Sequence, residues 1–550
     1  MRLSARVAAK AEERRWLILF VLCFSLLVIV LDNSILNVAL PTIVRDLDAS
    51  NSQLQWIVDS YTLVFAGLLL TAGSLGDRFG RRPALQLGFA VFGVGSLLSA
   101  LAESADHLIA TRAFMGIGAA FIMPATLSII TNVFPARERG KAIGVWAATA
   151  GVGVALGPLT GGFLLEHFYW GSIFLVNLPI VAVGVLAGVF LIPDSKDPSA
   201  PRLDPGGAAL SITGLSSLLY AIIEAPDKGW TADSTLIAFA IGGVLLAAFF
   251  VWELRSDHPM LDLSFFKNPR FTAASAAITL TFFSMLGSLF VLTQYLQFVL
   301  GYSALETGVR LLAFAIPMMI VAPLSPRFVE RVGSKAVVAT GLTLTATGLL
   351  LTSGLEASSS YGDLVWRFVI TACGLALTMA PATDSIMGSL PLAKAGVGSA
   401  VNDTTRQTGG AVGVAVVGSV FASIYSSQIA DAARGRNLPP AALEAAKRSV
   451  GAALQIAGRL PGDLGRQLAA TAKSAFLDGM SAGLYVGAAT ALVGVLVVLR
   501  WLPARARAQD VDRQTAEYAA AHQALGGEAA LAPAGDGETP TKPQSERVRT

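Results

Sequence analysis

The chain's 550 residues are 54% hydrophobic and only 14% charged, with a mean hydropathy of +0.62. That balance excludes an ordinary soluble domain and places most of the chain in a membrane. The formal net charge of +3 is dispersed through short loops, which excludes a nucleic-acid surface, and the two cysteines, Cys23 and Cys373, fall inside apolar runs, so no disulfide framework is expected.

In chain order, the N-terminal segment 1–15 carries Arg14 and Arg15 and runs into WLILFVLCFSLLVIVL, too long an apolar stretch for a cleaved signal and read as a retained first helix over 16–40. This helix contains LDNSILNVALP, so Asp32, Asn33 and Asn37 sit in lipid-soluble surroundings; Asn33 and Asn37 share a face. An intramembrane acid points into the bundle, and Asp32 is read as a coupling carboxylate, with structural hydrogen bonding as the other role open to it. The second helix, 54–75, adds Asp59 towards its outer end, either a ligand or a hydrated interfacial carboxylate. The basic loop GSLGDRFGRRPAL follows, then PALQLGFAVFGVGSLLSALA, a charge-free run that at ~1.5 Å per residue crosses a hydrocarbon core of about 30 Å. Barrel strands would be shorter and would alternate.

Helix four, 107–131, carries Arg112, a buried cation that needs a partner, and then PATLSII. Helix five, 140–165, contains GVALGPLTGG, and helix six covers 172–192. Two linker helices, 207–225 and 234–254, lead to helix nine, 271–298, the most aromatic candidate wall: Phe282, Phe283, Phe290 and Tyr295 beside Gln294 and Gln297. These residues line an apolar substrate cavity or face lipid. Helices ten and eleven occupy 306–326 and 335–355. Helix twelve, 361–388, contains PATDSIM, with Asp384 where the earlier copy has Leu127. Asp384 is either a proton or cation site, or a carboxylate near enough to the basic end to be solvated or paired. Helix thirteen covers 398–425 and helix fourteen 478–502; between them 426–477 is expected to form an outer helical hairpin, with an unstructured loop as the alternative. The tail 504–550 reads as a mobile cytoplasmic extension.

Lys and Arg gather in alternate loops, which puts both termini on the cytoplasmic side. The two PAT copies are 257 residues apart, and SLGDRFGRRP has a degraded echo in SPRFVERVGSK with Gly333 lying 253 residues after Gly80. Nearly equal offsets spanning eight helices imply two six-helix halves, 16–192 and 271–503, separated by the linker pair within 193–270. Parallel halves of this kind mark a secondary transporter with its site at the midplane.

GSLGDRFGRRPAL resembles the cytoplasmic loop motif of the major facilitator superfamily, in its fourteen-helix drug:proton antiporter branch. RAFMGIGAAF is similar to that family's helix-four pattern, with Met115 where the family often has Gln, and GVALGPLTGG is similar to its antiporter motif; LDNSILNVALP and WIVDSYTLV also match. The resemblance implies a gating loop of Gly73, Asp77, Arg78, Gly80, Arg81 and Arg82, in which the acid and the arginines form a charge latch. It also implies a proton-relay or state-dependent pairing role for Arg112. Helix five would supply close packing and a bend through Gly153, Gly157, Pro158, Gly161 and Gly162.

The expected protein is an all-α polytopic membrane exporter of lipophilic, cationic compounds in the cell (inner) membrane. It is driven by protons, needs no cofactor or metal, and works as a monomer among membrane lipids. A desolvated carboxylate that takes either a proton or a cation couples the two movements. An exporter of one natural product, lipid or metabolite is the nearest alternative, and a transport-dead receptor a more distant one. No H-E-x-x-H, G-x-S-x-G or G-K-[ST] pattern and no histidine pair at ligand spacing supports an enzyme.

Overall fold

The computed structural model describes residues 14–47, 51–196, 204–256, 261–433, 440–460 and 463–505, with isolated positions 259 and 516. The bulk of the expected N-terminal segment and of the tail lies outside them. Every long element is a helix: α1 Arg15–Leu47, α2 Asn51–Phe79, α3 Arg81–Ala100, α4 Ala105–Val133, α5 Ala136–His167 and α6 Ser172–Leu191, the last interrupted at Val176. The linker pair is α7 Pro205–Lys228 and α8 Asp233–Arg255. Then come α9 Pro269–Gln294, ending in a π-helical turn, α10 Ala304–Val332, α11 Ser334–Thr352, α12 Tyr361–Met387 and α13 Ala395–Ala433. Two short helices, α14 Pro440–Arg448 and α15 Val450–Arg459, precede α16 Asp463–Trp501. Among the described residues, thirteen helices are long and apolar enough to cross a membrane. Helix α5, 32 residues long, runs with them between α1 and α10.

The helices gather into two bundles. One core joins α1–α6 through residues such as Leu22, Leu69, Phe89, Phe92 and Ile122. Others join α9–α13 with α16, through Tyr295, Phe368, Phe421 and Phe476 among others. Without a hydrophobic drive between helices in lipid, close packing of small residues does much of the holding. A Cβ on Gly118 of α4 would lie 2.8 Å from the Gly88 carbonyl oxygen of α3, and one on Gly374 of α12 would lie 2.6 Å from that of Gly341 in α11. The same contact thus recurs in both bundles. The repeat is visible in the backbone too: Gly80 and Gly333 both have positive φ, +118° and +88°, and each divides two consecutive helices. Pro124 and Pro381, the matched prolines, each lie inside a helix.

Between the bundles, α5 packs along α10 and α2 along α13. Linker helix α7 leans on both α2 and α13, covering that second seam, and Trp230 donates to the Ser419 hydroxyl of α13 at 2.8 Å. The outer connection is shorter than expected. Helix α13 runs on to Ala433 and α16 begins at Asp463, because the Ala-rich flanks extend helices whose buried face carries Tyr425, Ile429, Leu468 and Phe476. The short α14–α15 pair is tied down by the Tyr425 hydroxyl, which donates to the Ala446 carbonyl at 3.1 Å.

Candidate functional site

Asp32 lies in the middle of α1 and is 2% exposed. One carboxylate oxygen accepts from Arg112 of α4 at 2.5 Å, and the other from the Asn177 amide of α6 at 2.8 Å. Asn177 also donates to the Ser96 hydroxyl of α3 at 3.0 Å. Arg112, fully buried, donates further to the Ile57 carbonyl of α2 at 3.2 Å and to Asn33 at 3.4 Å, and its guanidinium lies 4.3 Å from the centre of the Tyr61 ring. Five helices therefore converge on one ion pair. A charge so far from water persists only when paired and hydrogen-bonded, and this one is both. Asp59 is half-buried two positions from Ile57. The side chains of Asn37 and Pro158 lie outside the described residues. The glycine stripe of α5 packs on α1 near this pair: Gly153 abuts Val30, and Gly161 abuts Ile35, on either side of Asp32 along α1. Gly157 meets Ser34 between them, while Gly162 faces Leu305 of α10.

The basic loop end of the molecule is held shut across both seams. Asp77, buried at the end of α2, accepts from Arg81 at 2.7 and 2.9 Å and from the backbone amides of Gly396 and Val397 at 2.9 and 3.0 Å. A carboxylate of one bundle thus caps the N-terminus of α13 in the other, where unpaired amides and the helix dipole favour negative charge. Arg81 completes the latch by donating to the Leu392 and Ala393 carbonyls at 2.8 and 3.0 Å. Gly80 permits the turn, and a Cβ on Gly73 would approach the Gly396 oxygen to 2.7 Å. Arg78 and Arg82 are half-buried beside it. On the second seam, Arg139 of α5 donates to Asp384 of α12 at 3.3 Å, and Asp384 is 26% exposed. Asp384 is therefore ion-paired across the seam between the bundles in this structure.

The candidate wall on α9 divides. Phe282 is half-buried and faces Arg406 of α13 at 4.8 Å. Tyr295 is fully buried in the C-terminal bundle, with its hydroxyl donating to the Glu356 carbonyl at 2.7 Å. Phe283 packs on that same core, Phe290 is exposed near Gly418, and Gln294 and Gln297 are half-buried. Two contributors escaped the sequence reading. Asn177 is a lone amide in SIFLVNLPI, a signal that was there to find, whereas Tyr61 looks like any helix aromatic. A second buried pair, Asp403 and Arg406 on α13, was also missed, although two charges three positions apart in an apolar helix share a face.

Two helical bundles related by an internal repeat, closed at one end by a charged latch and holding a buried ion pair, define a secondary transporter rather than an enzyme. Residues 22–414 match the profile of the Major Facilitator Superfamily. The chain belongs to that superfamily and is a multi-pass membrane protein. It is 38% identical to the multidrug efflux pump LfrA of Mycolicibacterium smegmatis, over 88% of this chain and 97% of that one. It is 34% identical to the tetracenomycin C resistance and export protein of Streptomyces glaucescens, covering 90% and 92%. With the methyl viologen resistance protein SmvA of Salmonella typhimurium the identity is 33%, covering 89% and 98%. Among solved structures, the human organic anion transporter MFSD10 superposes with a TM-score of 0.58 at 15% identity, covering 88% of this chain and 99% of that one, a likeness of fold alone.

Proposed function

We propose that this protein is a proton-coupled antiporter that exports lipophilic, mainly cationic compounds by alternating access. The observation that carries the reading is the fully buried Asp32–Arg112 pair, held by Asn177 and backed by the α5 glycine stripe. Protonation of Asp32 removes the charge that holds Arg112, and the freed guanidinium then needs another acceptor, so proton loading changes how α1, α4 and α6 are tied together. The latch at Asp77 and the seal at Asp384 must both break when the basic end opens, so the two bundles rock as units about the α5–α10 and α2–α13 seams. Fourteen spans, with both termini on the side of the basic loops, complete this picture. The resistance and efflux names of the relatives support export of drugs, and methyl viologen is a cation.

Everted membrane vesicles containing the protein and a lumenal pH dye test it. Addition of a transported cation is expected to release lumenal protons in the wild type and not in Asp32→Asn. Absence of substrate-evoked proton movement across a broad panel of compounds overturns antiport. A narrow exporter of one natural product is the second reading, favoured by the relative named for tetracenomycin C export. Competition among substrates separates the two, since a single strong competitor marks the narrow exporter.

A further inference from the structure

The second ion pair, Asp403 and Arg406, differs from the first in how little holds it. Asp403 is 1% exposed and Arg406 6%, yet the guanidinium meets the carboxylate through one contact of 3.5 Å. Asn402 donates to the same carboxylate oxygen at 3.3 Å. The other oxygen, Asp403 Oδ2, has no hydrogen-bond partner among the described residues, and neither has Arg406 Nε. Such buried orphans are costly, and they point to a group that the site takes from elsewhere. The guanidinium lies between two aromatic rings, 5.1 Å from the centre of fully buried Trp146 and 4.8 Å from that of Phe282. A cation between two π faces and beside a carboxylate is the arrangement that recognises a large, weakly hydrated cation.

The walls come from both bundles: Trp146 from α5, Phe282 from α9 and Asp403 from α13. The site lies on α13 seven residues beyond Gly396, about 10 Å inward of the Asp77 latch. Arg112, by contrast, is held by the close Asp32 contact, two further hydrogen bonds and a ring, so nothing competes easily for its place.

We propose that Asp403, Trp146 and Phe282 form the recognition site for the cationic centre of a lipophilic substrate, and that Arg406 occupies this box as a tethered stand-in that the substrate displaces. The proposal deepens the export reading above and rests on it. When the bundles rock, Trp146 moves with α5 while Asp403 stays with α13, so the box loses a wall and its grip on the cation weakens on the releasing side. A ligand that binds one state better than the other shifts the balance between them.

Equilibrium dialysis of the purified full-length chain with tetraphenylphosphonium, and with neutral triphenylphosphine oxide beside it, tests the assignment. Asp403→Asn is expected to weaken tetraphenylphosphonium binding at least tenfold. Arg406→Gln is expected to tighten it at least threefold, because the internal competitor is gone. Trp146→Leu should weaken it several-fold, and Asp403→Asn should leave the neutral compound unaltered. The tightening by Arg406→Gln separates recognition from a merely structural ion pair, whose loss would weaken every ligand alike. Unchanged cation affinity in Asp403→Asn overturns the proposal, including the case where proton release is lost and Asp403 is a proton carrier instead. Weaker cation binding in Arg406→Gln overturns it as well. Proton release in vesicles reads independently: wild type that binds tetraphenylphosphonium in this pattern but moves no protons refutes antiport and leaves the recognition site standing.

Discussion

At the scale of single residues, the Asp32–Arg112 pair is the most deeply buried ion pair among the described residues, and both of its members have further hydrogen-bond partners. Removing the cation leaves a buried carboxylate with one amide donor, so Arg112→Ala is expected to destabilise the protein by about 3–5 kcal/mol. Thermal denaturation in detergent measures it. Asn177→Ala takes away a single donor and should cost about 1–3 kcal/mol on the same assay. Asp384 behaves differently, because it is partly exposed and its arginine is 3.3 Å away. Asp384→Asn should slow export several-fold while leaving the ratio of protons to substrate unchanged, as measured by paired flux and pH traces; a changed ratio would return Asp384 to the coupling site. Asp32 and Arg112 were each legible in the sequence as charges in apolar runs. Their pairing was not, since it joins positions 80 residues apart through the α1–α4 packing. Asp384 was legible as an oddity against Leu127, but its role depends on Arg139, which the sequence places only in a basic loop.

At the scale of elements, the bundles touch where side chains are smallest. Gly73 on α2 faces Gly396 and Ala400 on α13, and a Cβ there would stand 2.7 Å from both the Gly396 oxygen and the Ala400 Cβ. Gly73→Val therefore has to push α2 off α13 and pull Asp77 from the amides that it caps. The expected result is a basic end that opens more readily: a cysteine introduced at Ala400 should react faster with a water-soluble maleimide applied from that side, and export should fall. An unchanged labelling rate would mean that the latch does not hold this seam. Helix nine's aromatic character and the repeat could both be read from spacing, because they depend on local pattern. Tyr295 could not, since a period of 3.6 residues does not say whether a face meets a cavity or its own bundle's core. The ends of α13 and α16 were also misplaced, because Ala-rich polar sequence suits a helix and a loop boundary equally well.

At the scale of the whole molecule, the repeat supplies two like halves and the charges make them unlike. The N-terminal bundle buries a saturated ion pair, the C-terminal bundle buries a loose one, and the charged latches join the halves at one end. Under the proposed antiport, proton loading would act at the pair in the N-terminal bundle and cargo at the box between the two bundles, while the latches would limit opening to one side at a time. The central claim is that Asp32 carries the proton exchanged for substrate. The measurement that tests it most directly is substrate-evoked proton release in everted vesicles, with wild type and Asp32→Asn reconstituted to equal amounts. The account predicts release in the wild type and none in Asp32→Asn, with substrate binding retained in both. Equal proton release from the two proteins would contradict it.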